Sequence, residues 1–160
     1  MVLEPVRLVL NDSVEQACNM CRAQVEEHGI RLERHYDSAI GDIGADPVRL
    51  QQALWNVLKN AIKFSKPQGN VTVSTSRLSD DWCEVRIRDD GIGISAEKLP
   101  IIFDPFEQGD AAITRVYGGL GLGLAITKLV MELHGGKISA ASKGKGTGAT
   151  FRIEIKTVQD

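Results

Sequence analysis

The sequence predicts an α/β fold, a two-layer sandwich in which a mixed, mostly antiparallel sheet packs on about three helices. Two observations carry this prediction. Apolar residues recur at helical spacing in three stretches, and runs with the alternating pattern of strands lie between and after them. The chain has 160 residues, of which 42% are hydrophobic, so we expect one domain with one core over residues 1–160.

The first predicted helix covers residues 13–28. Its apolar side chains follow the three-four spacing of one helix face, and Gly29 then supplies a stop. Residues 30–34 alternate like a half-buried strand, and residues 41–44 predict a loop. The first part of the chain is thus predicted as helix, strand and loop.

The second predicted helix begins at Asp46 and Pro47. An aspartate at this position accepts hydrogen bonds from the first N–H groups of a helix, and proline suits its first turn. The helix is expected to end near Ser65. Residues 70–77 and 82–88 carry alternating apolar side chains and predict an antiparallel hairpin.

The last part of the chain predicts a third helix over residues 122–134, ended by a glycine pair. Residues 137–141 and 149–155 predict two further strands around a glycine turn. His28 and His134 each precede a glycine at a helix end, where a cation complements the helix dipole. We interpret both histidines as structural.

Composition excludes several classes of protein. The formal net charge is −2 and the sequence pI is about 5.9, so the chain lacks the basic surface that nucleic acids or anionic lipids require. No run approaches the roughly 18 apolar residues of a membrane span, and the first residues do not resemble a signal peptide. Cys18 and Cys21 lie on an apolar helix face and read as core cysteines. We therefore expect a cytoplasmic domain with no nucleic acid partner and no direct membrane contact.

Three polar residues of the second helix, Asn56, Asn60 and Lys63, lie on one line away from its apolar face. An amide carbonyl is a hard, neutral ligand and a lysine is a point charge, so the three could hold a metal ion and phosphate oxygens. Taken alone, however, such a stripe is more typical of a solvated helix face.

A glycine turn directly follows the predicted strand over residues 82–88. Gly91 and Gly93 allow a flat ligand to approach the backbone, and Asp89 could accept a hydrogen bond from an exocyclic amine. An ordinary Asp-Gly turn explains the same residues equally well.

A second glycine cluster, residues 118–123, leads into the third helix. It would present backbone N–H groups at the positive end of that helix, which suits a polyphosphate. Several glycines at a helix start cost roughly 0.5–1 kcal/mol each relative to alanine, which favours a functional role. Residues 144–149 match a loose dinucleotide pattern, but they lie between two strands and lack the required strand-to-helix context.

Four motifs in order resemble the ATP-binding catalytic domain of sensor histidine kinases, within the superfamily of gyrase-type, Hsp90-type and MutL-type ATPases. They are Asn-x-x-x-Asn-Ala-x-Lys-Phe, Asp-x-Gly-x-Gly, Phe-x-Pro-Phe and Gly-x-Gly-Leu-Gly-Leu, at residues 56–64, 89–93, 103–106 and 119–124. The resemblance covers essentially the whole chain and implies a Bergerat-type ATP-binding fold.

The resemblance also implies roles for individual residues. Asn56, Asn60 and Lys63 match catalytic positions, with Asn60 as the Mg²⁺ ligand and Lys63 beside the phosphates. Asp89 matches the carboxylate that recognises the adenine amino group. The other nucleotide-binding positions that it implies are Phe64, Gly91, Gly93, Ile94, Gly119, Gly121, Leu122, Gly123, Leu124 and Thr150.

Two implied contacts stay open at the level of sequence. Residues 103–119 match the ATP lid, in which either Gln108 or Arg115 would contact the terminal phosphate. Either Thr147 or Thr150 would add a polar contact beneath the adenine, and the spacing does not decide between them.

The function that the resemblance implies is binding of Mg-ATP and donation of the γ-phosphoryl group to a histidine on a separate dimerisation domain. Hydrolysing relatives carry a glutamate where this chain has Asn56, which cannot act as a general base, so we expect slow hydrolysis. None of His28, His35 or His134 precedes Glu or Asp, so the acceptor hairpin is expected to be absent. A response regulator receiver domain is the implied downstream partner, and a non-catalytic nucleotide-sensing module of the same fold is the alternative.

Overall fold

A computed structural model describes residues 2–105 and 123–158. Within these residues, a five-stranded sheet packs against a layer of four α-helices, as the sequence predicts for the two layers. The elements in chain order are β1 (Val6–Leu8), α1 (Leu10–Met20), α2 (Arg22–His28), β2 (Arg31–His35), β3 (Ile43–Ala45), α3 (Pro47–Phe64), β4 (Asn70–Arg77), β5 (Trp82–Asp89), α4 (Gly123–Leu133), β6 (Lys137–Ala141) and β7 (Ala149–Lys156).

The main sheet has the strand order β2-β4-β5-β7-β6. Strands β2 and β4 run parallel, and the other neighbours are antiparallel, which confirms the predicted mixed and mostly antiparallel sheet. A separate antiparallel pair, β1 and β3, joins the main unit through an isolated bridge between Ile43 and Thr157.

One face of the main sheet is buried against the helices, and its residues alternate with outward-facing ones along each strand. Helix α3 lies at the centre of the helix layer and buries one face, including Leu50, Leu54 and Leu58. The outward face carries mainly charged and hydroxyl side chains, and we call it the open sheet face. Its charged residues are Arg31, Glu33, Glu84, Arg86, Arg88, Lys137, Arg152, Glu154 and Lys156.

The predicted ends of the helices are largely confirmed. Asp46 caps α3, because its carboxylate accepts hydrogen bonds from the N–H groups of Val48 and Arg49 at 3.1 Å. Gly29 and Gly135 end their helices with φ angles of 65° and 73°, in the left-handed region that glycine tolerates. In the described ranges, no helix combines the length and the apolar character needed to cross a membrane.

Two local predictions are wrong. The first helix is divided at Cys21, whose φ and ψ of −95° and 7° lie outside the helical region, and it begins earlier, at Leu10. Apolar residues keep their spacing across Cys21, so the pattern alone could not reveal the break. The predicted loop at residues 41–44 contains strand β3, which forms only because β1 pairs with it from 35 residues away, as in the pair Leu8 and Ile43.

Candidate functional site

The carboxylate of Asp89 lies at the end of β5 on the helix-facing side of the sheet, and the residue is only 6% exposed. The N–H of Gly91 donates a hydrogen bond to Oδ1 at 2.9 Å. Burial raises the pKa of Asp89 to about 6, although the N–H groups of Gly91 and Ala149 act in the opposite direction. A carboxylate in so dry a position is a strong and selective acceptor for an amino group.

The glycine turn after Asp89 is held against the end of helix α3. A Cβ atom at Gly91 would overlap the carbonyl group of Phe64, so this position requires glycine. The N–H of Ile92 donates to the same carbonyl at 3.1 Å. These contacts hold the backbone at the end of α3, at Phe64, against the turn that follows Asp89.

The turn between β6 and β7 holds this segment from the other side. The N–H of Gly148 donates to the carbonyl of Gly91 at 3.0 Å, and the N–H of Gly146 donates to that of Ile92 at 2.7 Å. Ser142 joins the two segments, since its hydroxyl donates to the Gly148 carbonyl at 2.7 Å and accepts from the N–H of Ile94 at 3.0 Å. Sequence reasoning missed Ser142, although a serine between a strand and a glycine turn is a common turn-forming signal.

Gly93 and Ile94 complete the glycine turn. Gly93 has a φ of 70°, and a Cβ atom there would overlap the carbonyl of Gly144. The Ile94 side chain is half-buried and packs against the core. Both residues therefore hold the glycine turn against the segment between β6 and β7.

Asn56 is buried, with 7% exposure, so a solvated helix face is the wrong interpretation for this residue. Its Nδ2 donates to the carbonyl of Gly123 at 3.4 Å, and the Thr127 hydroxyl donates to the same carbonyl at 2.8 Å. Gly123 is the first residue of α4, and the neighbouring Leu124 packs against the core. Asn56 thus fixes α4 at the point where it begins.

Asn60 and Lys63 are half-buried on α3, one and two turns after Asn56. Burial lowers the pKa of Lys63, and the nearby Lys59 lowers it further. The Lys63 ammonium lies 5.7 Å from the centre of the Phe64 ring. Helix α3 therefore carries this polar stripe from the start of α4 to the turn that follows Asp89.

The strand register does not bring Thr150 to the pocket. Ala149 is the residue paired with Asp89, whereas Thr150 pairs with Arg88 on the open sheet face. Thr147 is exposed, and its hydroxyl donates to the Gly144 carbonyl at 2.7 Å within its own turn. The predicted contact of Thr150 is therefore corrected, because its side chain faces away from the buried carboxylate, and the alternative contact of Thr147 stays a prediction.

Part of the predicted site lies outside the described residues. This part includes the glycines that were expected to bind phosphate and the side chains expected in the lid. They are Phe106, Gln108, Arg115, Gly119, Gly121 and Leu122.

Comparisons with known proteins show the family to which the chain belongs. Residues 45–159 match the family described as histidine kinase-, DNA gyrase B-, and HSP90-like ATPase. The circadian input-output histidine kinase CikA of Synechococcus elongatus is 41% identical over 134 residues, which cover 84% of this chain and 18% of CikA.

Two solved structures share the fold over nearly the whole chain. Full-length ShkA in complex with AMPPNP has a TM-score of 0.84 at 26% identity, covering 100% of this chain and 33% of the ShkA chain. Histidine kinase ThkA in complex with the response regulator protein TrrA has a TM-score of 0.80 at 25% identity, covering 98% of this chain and 43% of the matched one. The chain thus corresponds to a part of each of these longer proteins, and it belongs to the family of histidine kinase-, DNA gyrase B- and HSP90-like ATPases, as an ATP-binding catalytic domain of the sensor histidine kinase type.

Proposed function

We propose that this domain binds Mg-ATP and donates the γ-phosphoryl group to a histidine on a separate dimerisation domain. The observation that carries the proposal is the contact between the end of α3 and the turn after Asp89. It joins a buried carboxylate, suited to an adenine amino group, to a helix that carries Asn56, Asn60 and Lys63. One pocket would then hold the two ends of a nucleotide.

In this proposal each side chain has a separate task. Asp89 accepts a hydrogen bond from the adenine amino group, and Gly91, packed against the Phe64 carbonyl, holds that carboxylate through its N–H. The ammonium of Lys63 lies on the phosphate side and offsets negative charge there. Gly123 supplies an N–H group at the start of α4.

Mg²⁺ fits this donor set only together with the nucleotide. In the two described ranges, no three His, Cys, Asp or Glu side chains are placed to hold a metal ion. The amide oxygen of Asn60 is a neutral, hard ligand, and Mg²⁺ typically takes few protein ligands and completes its shell with phosphate oxygens and water. Asn60 would hold the ion, which supplies charge neutralisation at the phosphates when bound.

Asn56 favours transfer to a protein over transfer to water. An amide cannot remove a proton from water at neutral pH, and the Asn56 Nδ2 group is already bonded to the Gly123 carbonyl. We expect slow hydrolysis for this reason. The domain's contribution to transfer is then positioning and charge stabilisation, so the incoming imidazole must come into line with the γ-phosphorus.

The acceptor histidine is proposed to lie on another domain. The ring of His134 is engaged on both nitrogens, by the Val130 carbonyl and the Asp46 N–H, and His35 lies exposed on an edge strand. The partners would be a dimerisation domain and, downstream, a response regulator receiver domain. All three cysteines are free thiols, which is consistent with the cytoplasmic location that we propose.

Calorimetric titration with Mg²⁺ and a non-hydrolysable ATP analogue tests the binding site. We expect micromolar affinity, about −8 kcal/mol, for the native chain. Asp89→Ala should abolish binding, and Asn60→Ala should remove the part of the affinity that depends on Mg²⁺. The exposed Asp12→Ala and Asn19→Ala are matched controls, and unchanged affinity in both site variants would refute the assignment.

Labelled ATP tests the transfer. The chain is mixed with the helical acceptor hairpin of the protein to which it belongs, and phosphate on the hairpin is assayed for lability in acid and stability in base. Acid-labile label that disappears with Asn60→Ala is the expected result. Nucleotide binding without such label would favour the alternative, a nucleotide-sensing module that does not transfer phosphate.

A further inference from the structure

We propose that the open sheet face is a docking surface for an acidic patch on another protein. The face lies on the side of the sheet opposite Asp89 and the helices, since outward-facing residues alternate with the buried ones along β5 and β7. A partner could bind there while the nucleotide pocket stays accessible.

The charge of the open sheet face is opposite to that of the remaining chain. Six of the 19 basic residues but only three of the 21 acidic residues lie on it, so the face carries +3 and the other residues together carry −5. The cations are Arg31, Arg86, Arg88, Lys137, Arg152 and Lys156. Complementary charge of this kind steers partners and rejects wrong ones.

Two arginines of this face are fixed in place by a buried carboxylate. Glu84 is 3% exposed, and its Oε1 accepts from Nε and lies 2.9 Å from Nη2 of Arg86. Its Oε2 accepts from Nε and Nη2 of Arg152 at 2.9 and 2.5 Å. Glu84 thus holds both guanidinium groups before any partner arrives, which reduces the entropy lost on binding.

Both guanidinium groups keep donors for a partner. Each has five N–H donors and uses two nitrogens toward Glu84. The side chains of Arg86 and Arg152 remain 49% and 39% exposed. A planar guanidinium binds a carboxylate through paired hydrogen bonds, so Asp and Glu side chains are the groups that fit.

Arg88 extends this pair of arginines along β5. It is exposed, and it has no ion pair with any residue of the described part of the chain. Its register neighbours on the two adjacent strands are Thr72 and Thr150, whose hydroxyl groups can also donate to a carboxylate. Thr150, which lies away from the nucleotide pocket, has a place in this surface.

The partner is a protein rather than a nucleic acid or a membrane because the positive charge is local. An extended polyanion would reach past the open sheet face. It would then be repelled by the remaining residues, whose net charge is −5. Nucleic acid binding depends on many phosphate contacts along a basic track. A compact acidic patch can match the face without that repulsion.

A decapeptide of glutamate is a suitable probe, titrated into the labelled 160-residue chain at low salt and followed by NMR. We expect the largest shifts on β5 and β7 and at the Nε–H groups of Arg86 and Arg152. The double variant Arg86→Gln/Arg88→Gln should weaken binding at least fivefold, and binding should decline as salt is raised. Affinity for the ATP analogue should stay unchanged, which shows that the variant is folded.

The control is Arg22→Gln/Lys128→Gln, which removes the same charge from exposed residues of α2 and α4, away from this face. It should keep peptide affinity within twofold. Equal loss in both double variants, or shifts centred elsewhere, would overturn the proposal. So would tighter binding of a single-stranded DNA decamer or of phosphatidylserine vesicles to the same face, which would assign it to a nucleic acid or a membrane.

Discussion

The backbone N–H of Asp46 donates a hydrogen bond to Nε2 of His134 at 3.0 Å, across 88 positions of the sequence. Because Nε2 accepts this bond, the ring proton lies on Nδ1, which donates to the Val130 carbonyl at 2.7 Å. Both ring nitrogens of His134 are therefore engaged by backbone groups of the domain. The bond from Asp46 joins the residue that follows α4 to the residue that caps α3, so it connects the two helices that carry Asn56, Asn60, Lys63 and Gly123.

Replacement of His134 by alanine should destabilise the domain. The Asp46 N–H would lose its acceptor, and one partly buried hydrogen bond of this kind contributes about 1 kcal/mol. Urea unfolding should therefore show a free energy of unfolding lower by about that amount. His28→Ala is the control, because this histidine also ends a helix; it should stay within about 0.5 kcal/mol of the native chain. Equal losses in the two variants would contradict a specific role for His134.

Gly91→Ala should disrupt both folding and binding. The added Cβ would meet the carbonyl of Phe64, which is backbone and cannot move without displacing the end of α3. A loss of about 2–3 kcal/mol in the free energy of unfolding is expected, as for other substitutions that overfill a packed site. Gly41→Ala is a matched control, since a Cβ there has no neighbour within 4 Å. Thermal unfolding of both variants, with and without the ATP analogue, measures the loss of stability and the loss of binding. Similar stability of Gly91→Ala and Gly41→Ala would show that the turn can shift to accept the added Cβ.

The fold was largely predictable from the sequence because helix and strand periods and the capping residues are local signals. Asp46, Gly29 and Gly135 each act on their own helix, and each was placed correctly. Features that depend on distant residues were not accessible. The pairing that creates β3 involves β1, and the contact of Asn56 with Gly123 joins residues 67 positions apart.

The choice between Thr147 and Thr150 shows how finely a site depends on register. A strand turns alternate side chains to opposite faces, so a shift of one residue exchanges the pocket for the open sheet face. The glycine turn before β7 does not reveal which residue pairs with Asp89, because three of its glycines have positive φ angles and the chain path is unusual. The observed pair of Asp89 with Ala149 places Thr150 on the open sheet face, and the contact of Thr147 stays a prediction.

The raised pKa of Asp89 predicts an unusual dependence of stability on pH. Its value of about 6 in the folded domain lies above the ordinary 3.8, because burial disfavours the charged form. The stability that this group contributes is complete below about pH 4 and is lost as the pH rises through 6, on the order of 1–3 kcal/mol. Urea unfolding of the unliganded domain from pH 4 to 8 measures this loss.

Asp89→Asn isolates that effect. The amide carries no charge at any of these pH values, so the fall in stability between pH 4 and 6 should be smaller, and at pH 8 the variant should be more stable than the native chain. Its affinity for the ATP analogue should nevertheless be lower, because the amide replaces a carboxylate oxygen with a donor. The exposed Asp12→Asn should change neither quantity. If the free energy of unfolding of Asp89→Asn changes with pH as it does in the native chain, then other groups cause the pH dependence.

Asn56→Asp tests whether the start of α4 depends on the buried amide. An ionised carboxylate has no donor for the Gly123 carbonyl and would lie against that oxygen with repulsion. The Thr127 hydroxyl still donates to that carbonyl, so the cost of about 1–3 kcal/mol comes from the buried charge beside an acceptor, and the displaced helix start should lower affinity for the ATP analogue at least tenfold. Asn19→Asp makes the same chemical change at an exposed site of α1 and should be close to neutral. If Asn56→Asp keeps full affinity, then α4 is positioned by its packing and not by this hydrogen bond.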